Sequence, residues 1–191
     1  MPEPLGQPGA TFGDQSMMAP DATVRQAVPR PTARFMLSHP AHCVALGFGS
    51  GLSPIAPGTA GTLWAWLAYV VLQLWLPPAA MGWLILAALA IGWWACTVTA
   101  DHLRVVDPGS IVWDEVVAFW LVLWLLLPAG FWAQFMAFLL FRLFDVIKPG
   151  PVGWADNLIE GLGWRGGFGN ILDDLVAAFC TLLVIAAWRF W

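Results

Sequence analysis

Residues 116–147 read VVAFWLVLWLLLPAGFWAQFMAFLLFRLFDVI, and this stretch decides the fold. Two apolar runs, 116–127 and 131–147, flank the short uncharged turn Pro128-Ala129-Gly130. Apolar runs of this kind are typical of helices buried in hydrocarbon. The stretch therefore predicts two short membrane helices joined by a tight turn.

Three further apolar runs lie outside this pair, at residues 63–76, 79–100 and 175–191. Several runs are shorter than the ~20 residues that a helix needs to cross a bilayer perpendicularly, so tilt, bilayer thinning or snorkelling must make up the difference. We predict an all-α fold, an integral membrane bundle of four to five short helices. A glycine- and proline-rich loop, residues 53–62, is expected on its cytoplasmic side.

The composition of the chain also indicates a membrane protein. Its 191 residues are 60% hydrophobic and 10% charged, with 14 tryptophans and a mean hydropathy of +0.73, which is unusual for soluble domains. We expect a disordered N-terminal tail over residues 1–38 and a membrane-embedded domain over residues 39–191. No basic stripe supports nucleic-acid binding, and the three cysteines lack the spacing of a zinc site or a disulfide framework.

The basic residues predict the orientation of the helices. The tail, the connection 101–114 and the segment 148–174 carry most of the arginines and the lysine, whereas the turns Pro77-Pro78 and Pro128-Ala129-Gly130 carry none. The positive-inside rule then places the longer connections in the cytoplasm. Tryptophans near segment ends are expected to be interfacial anchors, namely Trp64, Trp113, Trp132 and Trp191.

Adjacent acids precede two of the apolar runs, as Asp114-Glu115 and Asp173-Asp174. An ionisable group at the margin of a membrane helix is costly unless it is paired, hydrated or bound to metal. Two carboxylate pairs from different helices can hold Mg²⁺, a hard ion that takes oxygen ligands and shares them with substrate phosphate. The alternative is that acids at helix N-termini only complement the helix dipole.

A third charged cluster closes the run 131–147. Arg142, Asp145 and Lys148 are spaced three residues apart, so they fall within one broad stripe of a helix. They form either a structural ladder of ion pairs or a grip on an anionic headgroup. In the second case the arginine binds through its planar fork and the lysine acts as a point charge.

Glycine-rich stretches offer backbone N–H groups that can bind phosphate near a helix N-terminus. They are Gly47-Phe48-Gly49-Ser50-Gly51, Pro57-Gly58-Thr59-Ala60-Gly61-Thr62 and Gly166-Gly167-Phe168-Gly169. The first stretch equally suits close helix packing, and the position of the third directly before an acid pair favours a shaped loop. His39 and His42 are interpreted as hydrated or capping side chains rather than as headgroup ligands.

Four motifs in this order resemble the phosphatidylglycerophosphatase A family, from about His39 to Ala178. They are residues 47–59 (GFGSGLSPIAPGT), 109–115 (GSIVWDE), 141–149 (FRLFDVIKP), and 166–169 (GGFG) with Asp173-Asp174. The resemblance implies an all-α, Mg²⁺-dependent lipid phosphatase of the bacterial inner membrane. Such an enzyme hydrolyses phosphatidylglycerophosphate to phosphatidylglycerol and phosphate in phospholipid biosynthesis.

The resemblance also implies site residues by motif position. The acidic site residues would be Asp114, Glu115, Asp145, Asp173 and Asp174. The substrate phosphate would lie beside Arg142, Lys148, Gly49, Ser50, Gly51, Thr59, Gly166 and Gly167.

Our mechanistic hypothesis is a water nucleophile activated by Mg²⁺. The metal ligands would come from Asp114, Glu115, Asp173 and Asp174, and Asp145 would be a base or a further ligand. An aspartyl-phosphate intermediate is the alternative mechanism.

Other functions remain open at this point. The chain could dephosphorylate another lipid phosphate, or it could be a small membrane transporter or scaffold whose buried charges form an ion path. A transferase that joins a nucleotide-activated diacylglycerol to an alcohol is a further possibility, although its long Asp-Gly-x-x-Ala-Arg signature is absent.

Overall fold

Helices make up the regular structure of the chain. The computed structural model describes residues 30–106, 108–156 and 163–189. In chain order the elements are α1 (Ala33–Leu37), α2 (Pro40–Ala45), a 3₁₀ turn (Gly47–Leu52), α3 (Pro57–Leu72), α4 (Pro78–Leu103), α5 (Trp113–Leu125), α6 (Phe131–Ile147), α7 (Pro151–Asp156) and α8 (Trp164–Arg189). These residues contain no strand, and the predicted all-α fold is confirmed.

Two of the helices are long and apolar enough to cross a membrane. α4 and α8 each have 26 residues, and their most apolar windows have mean hydropathies of 1.8 and 2.0. At 1.5 Å per residue such a helix is about 39 Å long, which exceeds the ~30 Å hydrocarbon core of a bilayer. Both helices are longer than predicted, whereas α3, α5 and α6 are short, with 16, 13 and 17 residues.

The first half of α8 corrects one prediction. The helix begins at Trp164, well before the apolar run 175–191, so the shaped loop expected at residues 166–169 is wrong. A Cβ on Gly167 would lie 2.1 Å from Oγ1 of Thr97 in α4. Glycine is therefore present because α4 and α8 approach closely here, as small residues allow in membrane helices.

α5 is the central helix of the bundle, and it packs against α3, α4, α6 and α8. Three of its indole N–H groups donate hydrogen bonds to carbonyl groups of neighbouring helices. Trp113 bonds to Ala88 O at 3.0 Å, Trp120 to Ala65 O at 2.8 Å and Trp124 to Pro78 O at 2.8 Å. Because an unpaired polar group in an apolar interior is costly, these bonds fix α5 against α3 and α4.

The tryptophan prediction holds for only some of the four positions. Trp113 is 6% exposed and belongs to the core, so its assignment as an interfacial anchor is wrong. Trp132 is 75% exposed, in agreement with an anchor, and Trp64 is partly buried. Trp191 lies outside the described residues.

The segment before α3 is more ordered than predicted. The end of the expected tail contains α1, where the Oγ1 atom of Thr32 accepts a hydrogen bond from the N–H of Phe35 at 3.2 Å. The tail prediction is therefore wrong for these residues, and residues 1–29 lie outside the described part. Further along, the N–H of Val112 donates to Ala45 O at 2.9 Å. This bond ties α2 to the start of α5.

Candidate active site

The first acid pair lies at the N-terminus of α5, as predicted. Asp114 and Glu115 occupy the first turn, where the helix dipole favours negative charge. Asp114 is only 7% exposed, and its Oδ1 atom accepts a hydrogen bond from the N–H of Glu115 at 3.0 Å. Both acids are thus held where the central helix begins.

Arg142 of α6 connects three helices at this point. Its Nη1 atom donates to Oε1 of Glu115 at 3.0 Å, to Oδ2 of Asp145, and to Oγ1 of Thr62 in α3 at 3.4 Å. The side chain of Arg142 is 14% exposed. Its Nε–H is buried and donates to no group in the described part of the chain. The predicted pairing of Arg142 with Asp145 is present, but the arginine also binds an acid from another helix.

Lys148 binds an acid of α8, although its spacing in the sequence grouped it with Arg142 and Asp145 of α6. It follows the end of α6 in the left-handed conformation, with φ of 46°. Its Nζ atom lies 2.7 Å from Oδ2 of Asp173 in α8. The lysine therefore leaves the helical stripe predicted for residues 142–148 and joins α6 to the second acid pair.

The second acid pair points into the same region. Asp173 and Asp174 are 7% and 4% exposed, and both lie inside α8 rather than at its start. Asp174 lies within electrostatic range of Asp145, Asp114, Glu115 and Asp173. The five predicted acids, from α5, α6 and α8, therefore lie in one region, where Arg142 holds Glu115 and Asp145 and Lys148 holds Asp173.

The N-terminus of α3 closes this cluster from one side. The predicted loop 53–62 is helical from Pro57 onward, and Thr59 lies in this first turn. A Cβ on Gly58 would lie 2.0 Å from Oε1 of Glu115 and 3.0 Å from Nη2 of Arg142. A Cβ on Gly61 would lie 3.2 Å from Oε2 of Glu115. Glycine at these positions lets the backbone of α3 contact the charged groups directly.

The preceding glycine stretch has a structural role in the contacts that are described. Ser50 donates from Oγ to Gly47 O at 2.9 Å within its own turn. A Cβ on Gly51 would lie 2.1 Å from Ser110 O, and Gly49 has a φ of 107° that favours glycine. The turn thus packs against the segment that leads into α5. These contacts do not test the predicted phosphate role of Gly49, Ser50 and Gly51.

The acids are arranged in ion pairs rather than as a ready metal cage. Among the described residues, no group of three or more His, Cys, Asp or Glu side chains is placed as a metal-binding set. Arg142 and Lys148 instead hold Glu115, Asp145 and Asp173. Five carboxyl groups share two cations, so the cluster keeps a surplus of hard oxygen ligands and of negative charge.

Two further polar residues lie beside the acids: Thr62 was predicted only as part of a backbone phosphate loop, and Asn170 was not predicted as a site residue. Thr62 contacts Arg142, as described above. Asn170 lies one turn before the second acid pair on α8, and its buried Nδ2 donates to no described group. Its spacing of three and four residues from Asp173 and Asp174 places all three on one helix face. The sequence did not reveal this shared helix face, because α8 was predicted to begin after Asn170.

The histidines form a separate cluster. His39 caps α2, and its Nδ1 atom accepts from the N–H of Ala41 at 3.2 Å, so the capping interpretation is confirmed. His42 is 3% exposed. Its Nε2 atom lies 2.8 Å from Nδ1 of His102, at the end of α4, a hydrogen bond in which one ring donates to the other. Burial lowers the pKa of His42, and the nearby rings of His102 and His39 act in the same direction.

Comparison with known proteins supports one family. The family model for Phosphatidylglycerophosphatase A matches residues 43–189. The phosphatidylglycerophosphatase A of Escherichia coli K12 is 40% identical over 146 residues, which cover 76% of this chain and 81% of the relative. The phosphatidylglycerophosphatase A of Haemophilus influenzae is 38% identical over 164 residues, which cover 84% of this chain and 96% of the relative.

A third relative carries a different substrate in its name. A protein of Bacteroides thetaiotaomicron, provisionally named a phosphatidylinositol-3-phosphatase, is 36% identical over 152 residues, covering 76% of this chain and 91% of the relative. No solved structure matches the chain. On the family match and the identities over most of its length, the chain belongs to the phosphatidylglycerophosphatase A family.

Proposed function

We propose that this protein hydrolyses the terminal phosphate of phosphatidylglycerophosphate, with Mg²⁺, to give phosphatidylglycerol and phosphate in phospholipid biosynthesis. One observation carries the proposal: Arg142 and Lys148 hold Glu115, Asp145 and Asp173 from three helices in one buried cluster, and Asp114 and Asp174 lie within electrostatic range of it. Family membership supports the lipid substrate. Phosphoryl transfer depends mainly on positioning and charge neutralisation, which such a cluster can provide.

Arg142 and Lys148 are the groups that we assign to the substrate phosphate. A guanidinium binds phosphate through a fixed fork, and an ammonium adds a compact charge. Arg142 still has a buried Nε–H that donates to no described group, as does the Nδ2 of Asn170. Because buried donors normally find an acceptor, these two groups are suited to the oxygens of a bound anion.

The donor set suits a hard divalent cation. Carboxylate oxygens are the ligands that Mg²⁺ prefers, and the surplus of acids over cations in the cluster favours a further positive charge. Asp114, Glu115, Asp173 and Asp174 would hold the ion. When bound, Mg²⁺ neutralises phosphate charge and lowers the pKa of a coordinated water.

Asp145 is our candidate for the general base. Its carboxylate is held by Arg142, which fixes its direction. In the proposed reaction a water oxygen forms a bond to phosphorus while the phosphorus bond to the glycerol oxygen breaks. The water gives up a proton to the base, and the glycerol oxygen takes up a proton to become the hydroxyl of the product.

We also propose that the cluster faces the cytoplasm from the bacterial inner membrane. Arg104, Lys148 and Arg165 lie near the ends of α4, α6 and α8 that approach the cluster, whereas Arg189 lies at the opposite end of α8. This asymmetry follows the positive-inside rule. The several helices of the bundle agree with a multi-pass protein.

The second candidate is the phosphatase of another lipid phosphate, because one relative is named for a phosphoinositide. The test is phosphate release from phosphatidylglycerophosphate and from phosphatidylinositol 3-phosphate, with and without a chelator. We expect Mg²⁺-dependent release from the first lipid, lost in Asp114→Asn and Asp173→Asn. Asp101→Asn is the matched control, because this exposed acid lies outside the cluster and binds the N–H of Gly163.

The result that contradicts the site assignment is full activity in both cluster variants. Activity that survives the chelator contradicts the metal. Faster release from the phosphoinositide favours the second candidate.

A further inference from the structure

A groove lies between α3 and α6 on the outer surface of the bundle. Its volume is about 440 Å³, within the range of small-molecule binding sites. Its lining includes Leu63, Trp66, Leu67, Val70, Phe131 and Gln134. Leu67 and Phe131 are 65% and 64% exposed, so the groove is open to the surroundings along its side.

Trp66 of α3 joins the two helices and forms part of the groove. Its indole N–H donates to Oε1 of Gln134 at 2.6 Å, and its ring stacks on Phe131 and Phe138 with centroid distances of 5.6 and 5.9 Å. Gln134 also donates from Nε2 to Ala129 O at 2.9 Å. These amide and indole groups are hydrogen-bonded within the protein, so the groove suits an apolar occupant.

One end of the groove lies on the side of the candidate active site. α3 and α6 run antiparallel, because Thr62 meets Arg142 while Trp66 meets Gln134 and Phe138. The first lining residue, Leu63, directly follows Thr62 in α3. An occupant that lies along the groove and extends past Leu63 therefore reaches toward the arginine that we assign to phosphate.

The length of the groove matches one leaflet of a bilayer. The lining of α3 extends from Leu63 to Gln73. At 1.5 Å per residue this distance is about 15 Å, which is half of the ~30 Å hydrocarbon core. A fatty acyl chain is long enough to extend over this distance when the headgroup of its lipid is bound at the candidate site.

We propose that the groove binds an acyl chain of the substrate lipid while its phosphate lies at Arg142. This proposal rests on the proposed function and adds where the lipid tail is held. The occupant enters sideways from the bilayer, and apolar contact with α3 and α6 contributes to affinity rather than to the chemical step. The groove thus makes the enzyme selective for long-chain lipid phosphates over water-soluble ones.

The test compares dioleoyl and dihexanoyl phosphatidylglycerophosphate as substrates of Leu67→Trp, which fills the groove. Loss of contact with about two methylene groups corresponds to a rise in KM of roughly tenfold for the long-chain lipid. The short-chain lipid should keep its KM, and kcat should be unchanged for both. Leu183→Trp is the matched control, because Leu183 is 53% exposed on α8 and does not line the groove.

Equal changes for both lipids, or no change for the long one, would overturn the groove proposal. Wild-type protein that acts on neither lipid would instead contradict the proposed function, and this inference with it. A second measurement does not need turnover. A phosphatidic acid with a photoreactive group in its acyl chain should label residues 63–73 of α3 or 131–134 of α6, and labelling confined to the remaining helices would also overturn the proposal.

Discussion

Arg142 joins three helices through one guanidinium group. It meets Thr62 of α3, Glu115 of α5 and Asp145 of its own helix in a site that is largely shielded from water. Removing one partner of such a cluster leaves buried charge uncompensated, at a cost of about 3–5 kcal/mol. The residue thus has both a structural role and, in our proposal, a substrate role.

We predict that Arg142→Lys separates these two roles. Lysine keeps the positive charge but lacks the fork, so one or more charge-assisted hydrogen bonds are lost, and kcat/KM should fall by about 10- to 100-fold. The melting temperature should change much less than in Arg142→Ala. Phosphate release and thermal unfolding in detergent measure the two effects, with Arg104→Lys as a control. Unchanged kcat/KM in Arg142→Lys would contradict the assignment.

A substitution at Gly58 tests the contact between α3 and the carboxylate of Glu115. We predict that Gly58→Ala lowers both activity and stability, because its Cβ would lie 2.0 Å from Oε1 of Glu115 and must displace that carboxylate. Gly130→Ala is the control, since no atom lies within 4 Å of a Cβ there. Kinetics and melting temperatures of the two variants should differ clearly. Similar values for both would show that the contact between α3 and Glu115 is unimportant.

The identity of the acids could be predicted from sequence, but their partners could not. Carboxyl groups beside apolar runs are costly in isolation, so Asp114 and Asp173 were recognised from their position alone. Lys148 was expected to share a helix face with Asp145, and it binds Asp173 instead. The left-handed conformation at Lys148 redirects its side chain, and residue spacing along a helix does not reveal such a turn.

At the scale of elements, glycine caused the main errors. Gly58 and Gly167 were both placed in loops because glycine lowers helix stability by about 1 kcal/mol relative to alanine. Both are helical, and both allow a neighbouring helix or side chain to approach closely. The alternation of apolar runs and tight turns nevertheless predicted the five main helices, because hydrocarbon burial depends on composition more than on propensity.

The contact between α2 and α4 predicts a dependence of stability on pH. Burial lowers the pKa of His42 below the ordinary value, so the folded protein favours its neutral form. The corresponding stabilisation is present above about pH 6.5 and is lost as the pH falls through the lowered pKa. His39 and His102 face the same ring and also lower the pKa of His42.

Thermal unfolding in detergent between pH 8 and pH 5 measures this effect. The melting temperature of the wild type should fall toward pH 5, and that of His42→Gln should fall less. An equal fall in both proteins, or a rise toward pH 5, would contradict the role of His42.

At the scale of the whole molecule, the short helices limit the thickness of the bundle. α5 has 13 residues, which corresponds to about 20 Å and is less than the ~30 Å hydrocarbon core. Exposed tryptophans mark the end of the bundle opposite the acid cluster, with Trp75, Trp132 and Trp188 82%, 75% and 70% exposed. Such residues prefer the membrane interface. In the proposed multi-pass arrangement the bilayer thins around the protein, or the cluster lies below the headgroups.

This mismatch predicts that activity depends on bilayer thickness. In proteoliposomes of equal headgroup composition, activity should be about twofold or more higher in lipids with 14-carbon chains than in lipids with 22-carbon chains, because thin bilayers reduce the mismatch. Activity in one detergent is the reference for the amount of active protein. Higher activity in the thicker bilayer would contradict this account of the fold in the membrane.

The proposed function requires carboxyl groups of α5 and α8 to bind Mg²⁺ together. The most direct measurement is the melting temperature of purified protein during a titration with MgCl₂ at constant ionic strength, because a ligand that binds only the folded state raises it. We predict a rise in the wild type and in Asp101→Asn, and its loss in both Asp114→Asn and Asp173→Asn. No rise in the wild type, or an undiminished rise in the two cluster variants, would contradict the claim.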